Sequence, residues 1–452
     1  MKFLPRLCMA TSNAAAGESD GSSNKLGSTS TASSSTVSTS SSAAAAAVSE
    51  ASSSTSLPSL PSLSAATSNA ATSCLAASFT QLTTLLPVPT TRSSAAAVAP
   101  AVDSFHGFVV ARPESVALHD LFTLEATSIS DSGDDSTATA GSVKCVAYIH
   151  GGKAVTGHQD GRLRLWRVSS RAPARIRLAA ALPTVSDRLR RFPVPSNHVA
   201  VRRHHRRLWI EHADTVSGVA ASTDGRLLFS VSWDKTLKVW AIPSLRCLQS
   251  LPAHDDAVNA VAVAPDGTVY TGSADRRVRV WAPKPASDKT TGRQSKKPVY
   301  SLVATLSRHR AAVNAVAVGC GGQLMYSGGN DRCVVVWERE DSANHMVAIG
   351  ALRGHRKAVL SVACAGNDGL VVSGSADQTV RAWRREADGR GHTCVAVIDG
   401  HGSAVRSVAV ALVPGKKQRH GGDGDSDEEW RVCSASFDGE VRVWSLQVTT
   451  GL

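Results

Sequence analysis

Aromatic residues are scarce in this chain, 5% of 452 positions, and residues 1–79 hold almost none. That stretch is dominated instead by Ser, Ala and Thr, including Ser33–Ser35 and Ala43–Ala47. It cannot bury enough apolar surface to offset the entropy of ordering, so it is expected to be a disordered tail. Met1–Met9 carry Lys2 and Arg6 with Phe3, Leu4 and Leu7, an apolar run too short and broken for a signal peptide, and Glu18 and Asp20 arrive early for a transit peptide. Runs of ~18 apolar residues, which a membrane-crossing helix needs, are missing too, so a soluble protein is expected. No two of the 9 cysteines form a C-x-x-C pair. Several lie in apolar runs such as Ser361–Ala365 and Arg431–Ala435, where they read as small buried hydrophobes rather than zinc ligands or disulfide partners. A reducing compartment, cytoplasmic or nuclear, follows. Nor is there a Gly-rich phosphate loop, a nucleophile elbow or an isolated pair of carboxylates. No catalytic residue, cofactor, metal or small-molecule substrate is therefore expected.

What the chain does have is a repeat. Six times an aspartate is followed six residues on by a tryptophan at the end of an apolar run: Asp160/Trp166, Asp234/Trp240, Asp275/Trp281, Asp331/Trp337, Asp377/Trp383 and Asp438/Trp444. Four residues before each aspartate stands a hydroxyl, from Thr156, Ser230, Thr271, Ser327, Ser373 or Ser434. Upstream of five of these stands a histidine: His212, His254, His309, His355 and His401. Each unit reads as strands, such as Val258–Val263, Val269–Gly272 and Arg277–Trp281, with the aspartate in the turn between the second and third. Period-two alternation puts hydroxyl, aspartate and tryptophan on one face, and a buried carboxylate there needs the donors that His, Ser/Thr and Trp supply. Ser, His and Asp together could suggest a hydrolase triad. A catalytic site is built once, however, and this set recurs, which favours a structural role.

The constellation resembles the His–Ser/Thr–Asp–Trp tetrad of WD40 repeats, and Gly354–His355 and Gly400–His401 match that family's Gly-His dipeptide. The closing Trp-Asp dipeptide is absent, since the tryptophans are followed by Arg167, Ala241, Ala282, Glu338, Arg384 and Ser445. The resemblance implies an all-β chain folded as a WD40 β-propeller. Six clear units begin near Ser142, Val216, Val258, Val313, Val359 and Val405. Upstream, Ala95–Val102, Gly107–Ala111 and Val116–Leu121 read as strands of a degenerate first blade at about 94–130, and Leu82–Leu86 is placed to complete the last blade beside Val441–Leu446. A seven-bladed propeller over 80–452 is expected, preceded by the 1–79 tail.

The net charge of +12 belongs almost wholly to the ring. Its densest basic segment lies in an insertion at 184–211, within a Trp166 to Trp240 interval far longer than Trp240 to Trp281. Arg202, Arg203, Arg206 and Arg207 form a candidate nucleic-acid or nuclear-import patch; the alternative is a solvated loop packed by Trp209. The run from Pro195 to Val216, together with Ser232-Trp-Asp, Ala253-His-Asp-Asp and Trp337-Glu-Arg-Glu, resembles the plant WD40 proteins of the Jingubang group. That likeness implies a non-catalytic regulator similar to a group associated with pollen germination and tube growth and with binding of transcription factors. Two other readings are a nuclear nucleic-acid-associated factor and a substrate receptor of a ubiquitin ligase, for which the tail shows no adaptor motif. Ser426, in the acidic run Gly421–Glu429, is placed for an acidophilic kinase or simply in a solubilising loop. Finally, the loops bearing His and the turns bearing Asp must share one end of the ring. Trp233, Phe437, Arg310, Arg356 and Lys357 flank them there and form a candidate protein-binding face.

Overall fold

The computed structural model describes residues 60–63, 76–85, 97–101, 107–113, 115–129, 142–169, 175–202, 205–284, 298–340, 346–365, 369–386, 389, 391–413 and 428–449. Of the tail expected to be disordered, 1–79, residues 1–59 and 64–75 lie outside them, as do Arg203 and the Ser426 loop. No helix among the described residues is long and apolar enough to cross a membrane.

Among the described residues the strands form seven four-stranded antiparallel sheets and one two-stranded hairpin. Blade 1 comprises Ala97–Ala101, Gly107–Ala111, Val116–Asp120 and Ala126–Ile129. Blade 2 comprises Val143–Ile149, Lys153–His158, Leu163–Ser169 and Arg175–Leu182. Blades 3 to 6 begin at Val216, Val258, Val313 and Val359, and end with the outer strands Arg246–Pro252, Val299–Ser307, Met346–Arg353 and His392–Ile398. In blade 7, Val405–Leu412, Glu428–Ser436 and Val441–Thr449 are completed by Ala76–Leu85, which pairs with Gln81 opposite Trp444 and Leu85 opposite Val441. The first strand of every blade lies beside the first strands of its neighbours, blade 1 against blade 7 included, so these strands wall a central channel.

Two faces of each blade are covered by its neighbours, which explains why the second strands read as continuous apolar runs rather than alternating ones. Leu324–Gly329 and Leu370–Ser375 are buried at every position. The core is accordingly divided into layers, each between two adjacent blades. Trp383 packs with Tyr326 and Val336 between blades 5 and 6, while Phe108, Val110, Val441 and Val443 close the ring between blades 1 and 7. Small residues let the blades meet. A Cβ on Gly374 would stand 2.7 Å from Val405 Cγ1, and one on Gly328 would stand 2.7 Å from Val359 Cγ1.

Each innermost strand of blades 2 to 7 carries a register shift after its first residue, as between Val258 and Ala260 or Val313 and Ala315. A bulge sharpens twist and leaves backbone groups outside the ladder. The preceding blade satisfies one of them: Asn259 Nδ2 donates to Val313 O at 2.9 Å, Asn314 Nδ2 to Val359 O at 2.8 Å, and Ser217 Oγ to Val258 O. At the seam, Ser407 Oγ accepts from Val98 N at 3.1 Å, and Arg112 Nη2 donates to Leu85 O at 2.8 Å.

One expected boundary moves. The closing strand starts at Ala76 rather than near Leu82, and Leu60–Leu63, assigned to a coreless tail, lies against the ring: Ala351 N donates to Pro61 O and Leu63 N to Ala351 O, each at 3.0 Å. Composition averaged over 79 residues masked two leucines spaced to use a sheet edge. Removing residues 1–56 is expected to leave the melting temperature unchanged. Removing 1–86 unpairs Val441–Thr449 and should produce aggregation in size-exclusion chromatography; equal solubility of the two truncations would contradict the closure.

Candidate functional site

In blades 3 to 6 the four residues of each set form a directed chain. The tryptophan indole N–H donates to the Ser/Thr oxygen, at 2.9 Å for Trp240 and Ser230 and 2.7 Å for Trp337 and Ser327. The hydroxyl meets His Nε2, at 2.8 Å in Ser230–His212, Thr271–His254 and Ser373–His355. His Nδ1 then meets the carboxylate, at 2.9 Å in His212–Asp234, 2.8 Å in His254–Asp275 and His309–Asp331, and 3.0 Å in His355–Asp377. An ionised carboxylate only accepts, so Nδ1 carries the proton and neutral Nε2 accepts from the hydroxyl. Tryptophan therefore reaches aspartate only through two intermediaries, which corrects the expectation that the indole serves the carboxylate directly. The geometry matches a hydrolase triad in order and distance, yet Ser230, Thr271, Ser327, Ser373 and Ser434 are fully buried. Each hydroxyl already holds an indole and an imidazole, leaving no approach for a substrate carbonyl.

The aspartate performs a second task. Its other oxygen accepts a backbone N–H two residues on, from Thr236 at 2.9 Å, Arg277 at 3.0 Å and Thr379 at 3.1 Å. The intervening Lys235, Arg276, Arg332 and Gln378 all take positive φ, from 66° to 73°. Burial alone would raise Asp275, but the hydrogen bond from His254 and those from two backbone N–H groups hold it down at about 2. The same opposition leaves Asp234, Asp331 and Asp377 below the ordinary carboxylate range. Burial pushes His212 down.

Two blades depart from this scheme. In blade 7, Trp444 and His401 both reach Ser434, at 2.9 and 2.7 Å, but His401 Nδ1 makes no hydrogen bond. Asp438 instead accepts from Ser436 Oγ and Glu440 N, so the expected His401–Asp438 link is not formed. In blade 2, which lacks the upstream histidine, His158 substitutes from within the second strand and meets Thr156 Oγ1 at 2.7 Å. Asp160 pairs with Arg164 at 2.9 Å. His158 stands two residues before the aspartate, and that offset was the overlooked signal.

The candidate face lies at the end of the ring that carries these turns. Trp233 is 39% exposed and Phe437 48%; Arg406, reaching up from the innermost strand of blade 7, sits 5.9 Å from the Phe437 ring. Arg310, Arg356 and Lys357 are exposed on blades 5 and 6, with the Arg310 and Arg356 backbone N–H groups on Asp331 and Asp377. Trp233 lines a cleft.

That cleft is made by the insertion. Thr184 caps the helix Val185–Arg191 through Asp187 N, and a hairpin follows, His198–Arg202 with His205–Leu208. Buried Asp187 accepts from Arg191 Nε at 3.1 Å and faces Cys247 N, while Arg191 Nη2 donates to Cys247 O at 3.1 Å, which fastens the helix to the outer edge of blade 3. Arg191 also lies 4.5 Å above the Trp209 ring, and Trp209 Nε1 donates to Asn197 Oδ1 at 3.1 Å. Arg207 donates to His212 O at 3.0 Å, and Arg188 pairs with Glu211. Much of the basic segment is thus spent on its own anchorage; Arg206 is exposed, and the side chains of Arg202 and Arg203 lie outside the described residues. The hairpin overhangs blade 3 and encloses about 610 Å³ between Val199, Val201, Arg207, Trp209, Trp233 and Lys238. Lys238 at its base donates to Trp209 O and Ser250 Oγ, at 2.5 and 2.6 Å, and burial lowers its pKa.

Asp377→Ala is expected to cost about 1–3 kcal/mol by stranding His355 Nδ1, and Asp438→Ala measurably less because His401 Nδ1 is already unbonded; paired thermal melts check the order. His401 is lowered to about 4, by burial first and Arg442 second. A depressed histidine contributes stability that is complete above its unfolded value near 6.5 and is lost as pH falls through about 4. Denaturant titrations from pH 7 to 4 should therefore lose less stability in His401→Gln than in the parent. The lowered aspartates add a further loss only below pH ~4.

Five successive segments, residues 204–241, 245–282, 300–338, 346–384 and 392–445, match the WD domain, G-beta repeat. Blades 1 and 2 lie outside these matches. The chain is similar to the U3 small nucleolar RNA-associated protein 15 homolog of Gallus gallus, 26% identical over 211 residues, 43% of this chain and 37% of that protein. It is also similar to echinoderm microtubule-associated protein-like 3 of Homo sapiens, 33% identical over 73 residues, 16% of this chain and 8% of that protein. Mitochondrial division protein 1 of Schizosaccharomyces pombe is 28% identical over 135 residues, 28% of this chain and 20% of that protein. The chain therefore spans well under half of each of these relatives. Repeat match and blade geometry agree, and the chain belongs to the WD40-repeat family, whose propellers generally serve as protein-interaction scaffolds and are typically non-catalytic.

Proposed function

We propose that this propeller is a non-catalytic regulator that captures a partner protein on the tetrad-bearing end of the ring, with the cleft under the insertion hairpin as its principal pocket. One observation carries the reading: a half-exposed Trp233 faces the exposed Val199 and Val201 across an open cleft whose remaining charged lining is of both signs, Arg207, Lys235 and Lys238 with Glu211, Asp214 and Asp234. Exposed aromatic and aliphatic side chains ringed by polar groups suit an apolar anchor on the partner, the composition that dominates interface energetics. Its volume falls in the range that accepts a few side chains. Phe437, Arg310, Arg356 and Lys357 would form an outer rim on more distant blades.

The likeness of the insertion to the Jingubang group supports a plant regulator acting in the cytoplasm or nucleus, with transcription factors as the partner class. Internal pairing of Arg188, Arg191 and Arg207 weighs against the insertion as a nucleic-acid surface, since a phosphate-binding face needs unspent cations. Affinity purification of the intact protein from its own tissue, followed by mass spectrometry, identifies the partner. Trp233→Ala with Val201→Asp is expected to abolish that capture while circular dichroism and melting stay close to the parent. Undiminished capture, or loss only through unfolding, would place docking elsewhere.

A further inference from the structure

Leu60–Leu63 does not merely rest on the ring; it extends a sheet. Ser62 forms a parallel bridge with Ala351 in the outermost strand of blade 5, and the Pro61 and Leu63 backbones exchange hydrogen bonds with Ala351, both at 3.0 Å. Leu63 O then accepts from His392 N at 3.1 Å, on the outermost strand of blade 6, and Arg353 Nη2 approaches Leu60 O at 3.4 Å. In an extended segment residues three apart point to opposite faces. Leu60 accordingly packs against the layer between blades 4 and 5, and Leu63 against the layer between blades 5 and 6. The second socket exists because position 350 is glycine: a Cβ there would stand 2.3 Å from Leu63 Cγ.

The contacts define what the edge reads. Both leucines are specified by sockets. Proline is compatible at the second position because no N–H is required from it and its restricted φ suits an extended backbone. Ser62 is exposed and lies opposite Ala351 in the bridge. The chain carries this Leu-Pro-x-Leu spacing twice in succession, as Leu57-Pro58-Ser59-Leu60 and Leu60-Pro61-Ser62-Leu63.

We propose that the outer edge of blade 5 is a receptor for an extended Leu-Pro-x-Leu segment of a partner protein, and that the chain's own tail fills it as a tethered competitor. Recognition follows the strand-addition mode, in which main-chain hydrogen bonds give affinity and alternate side-chain sockets give selectivity. Residues 64–75 join the segment to the closing strand of blade 7, which confers an effective concentration of about millimolar order. A partner segment therefore engages once the tail is released. This site is separate from the cleft at Trp233 and stands or falls independently of it.

The test uses the full chain, a Leu60→Asp/Leu63→Asp variant that disables both copies of the spacing, and a fluorescein-labelled peptide of residues 56–64 as probe. The peptide is expected to bind the variant at least tenfold more tightly than the parent by fluorescence anisotropy. Adding Gly350→Val to the variant should remove that binding with an unchanged melting curve. Hydrogen exchange gives a second readout: the Ala351 and His392 amides should be protected in the parent, exposed in the variant and protected again by peptide. Equal binding to parent and variant, no binding to the variant, or binding that survives Gly350→Val would overturn the proposal. So would a parent that sediments as a dimer beside a monomeric variant, since the segment would then be exchanged between two copies.

Discussion

Both faces of a blade in this ring are apolar, and a sheet with two apolar faces has no solvated side on which to stand alone. Every other feature of the molecule answers that constraint. Each layer of core belongs to two blades at once, so the ring must close before any layer is complete, and closure depends on Ala76–Leu85 returning to blade 7 beside Val441–Thr449. Arg112 on Leu85 O and Ser407 on the Val98 backbone hold the same seam from its outer and inner sides. A closed ring also leaves only short outer edges, and two of these are covered: blade 3 by the insertion helix through Asp187 and Arg191, and blade 5 by Leu60–Leu63.

Within that frame the polar chains fix angle rather than supply most of the stability. An indole, a hydroxyl, an imidazole and a carboxylate in series tie the third strand to the second and to the incoming loop, with each donor matched to one acceptor. Buried polar groups in such a series are costly when one link fails. That makes the variation among blades informative. Blade 2 recovers its histidine from within a strand at His158, and blade 7 tolerates an unbonded His401 Nδ1 while Asp438 turns to its own turn residues. Structural uniformity at one end of the ring leaves the loops free to differ. The insertion between blades 2 and 3 is the largest such difference, and it shapes the cleft that Trp233 faces.

Much of the architecture was legible from spacing. The intervals His–Ser/Thr–Asp–Trp are local, spanning one hairpin and its preceding loop, and local intervals survive in the linear sequence because strand periodicity maps them directly onto one face. Degenerate blade 1 was legible only as alternating apolar runs and turns, since it carries neither Asp nor Trp at the repeat positions. The inner girdle of Ser217, Asn259 and Asn314 passed unnoticed although it recurs at the second position of successive inner strands. Its purpose appears only when a bulge exposes the carbonyl of the following blade.

The sequence by itself determined that this chain builds blades, where each turn falls, and which side chains line each blade's polar series, because those relations run between residues a few tens of positions apart. Tertiary structure alone decided how the arginines of the insertion are used, since Arg188, Arg191 and Arg207 look like a free basic run until Glu211, Asp187, Trp209 and the His212 carbonyl are brought beside them. It also decided the place of Leu60–Leu63. Nothing in a Ser-rich stretch announces a strand, and the groups that make it one, the Ala351 backbone and the space above Gly350, lie almost three hundred residues away in the chain and meet it only because the ring closes.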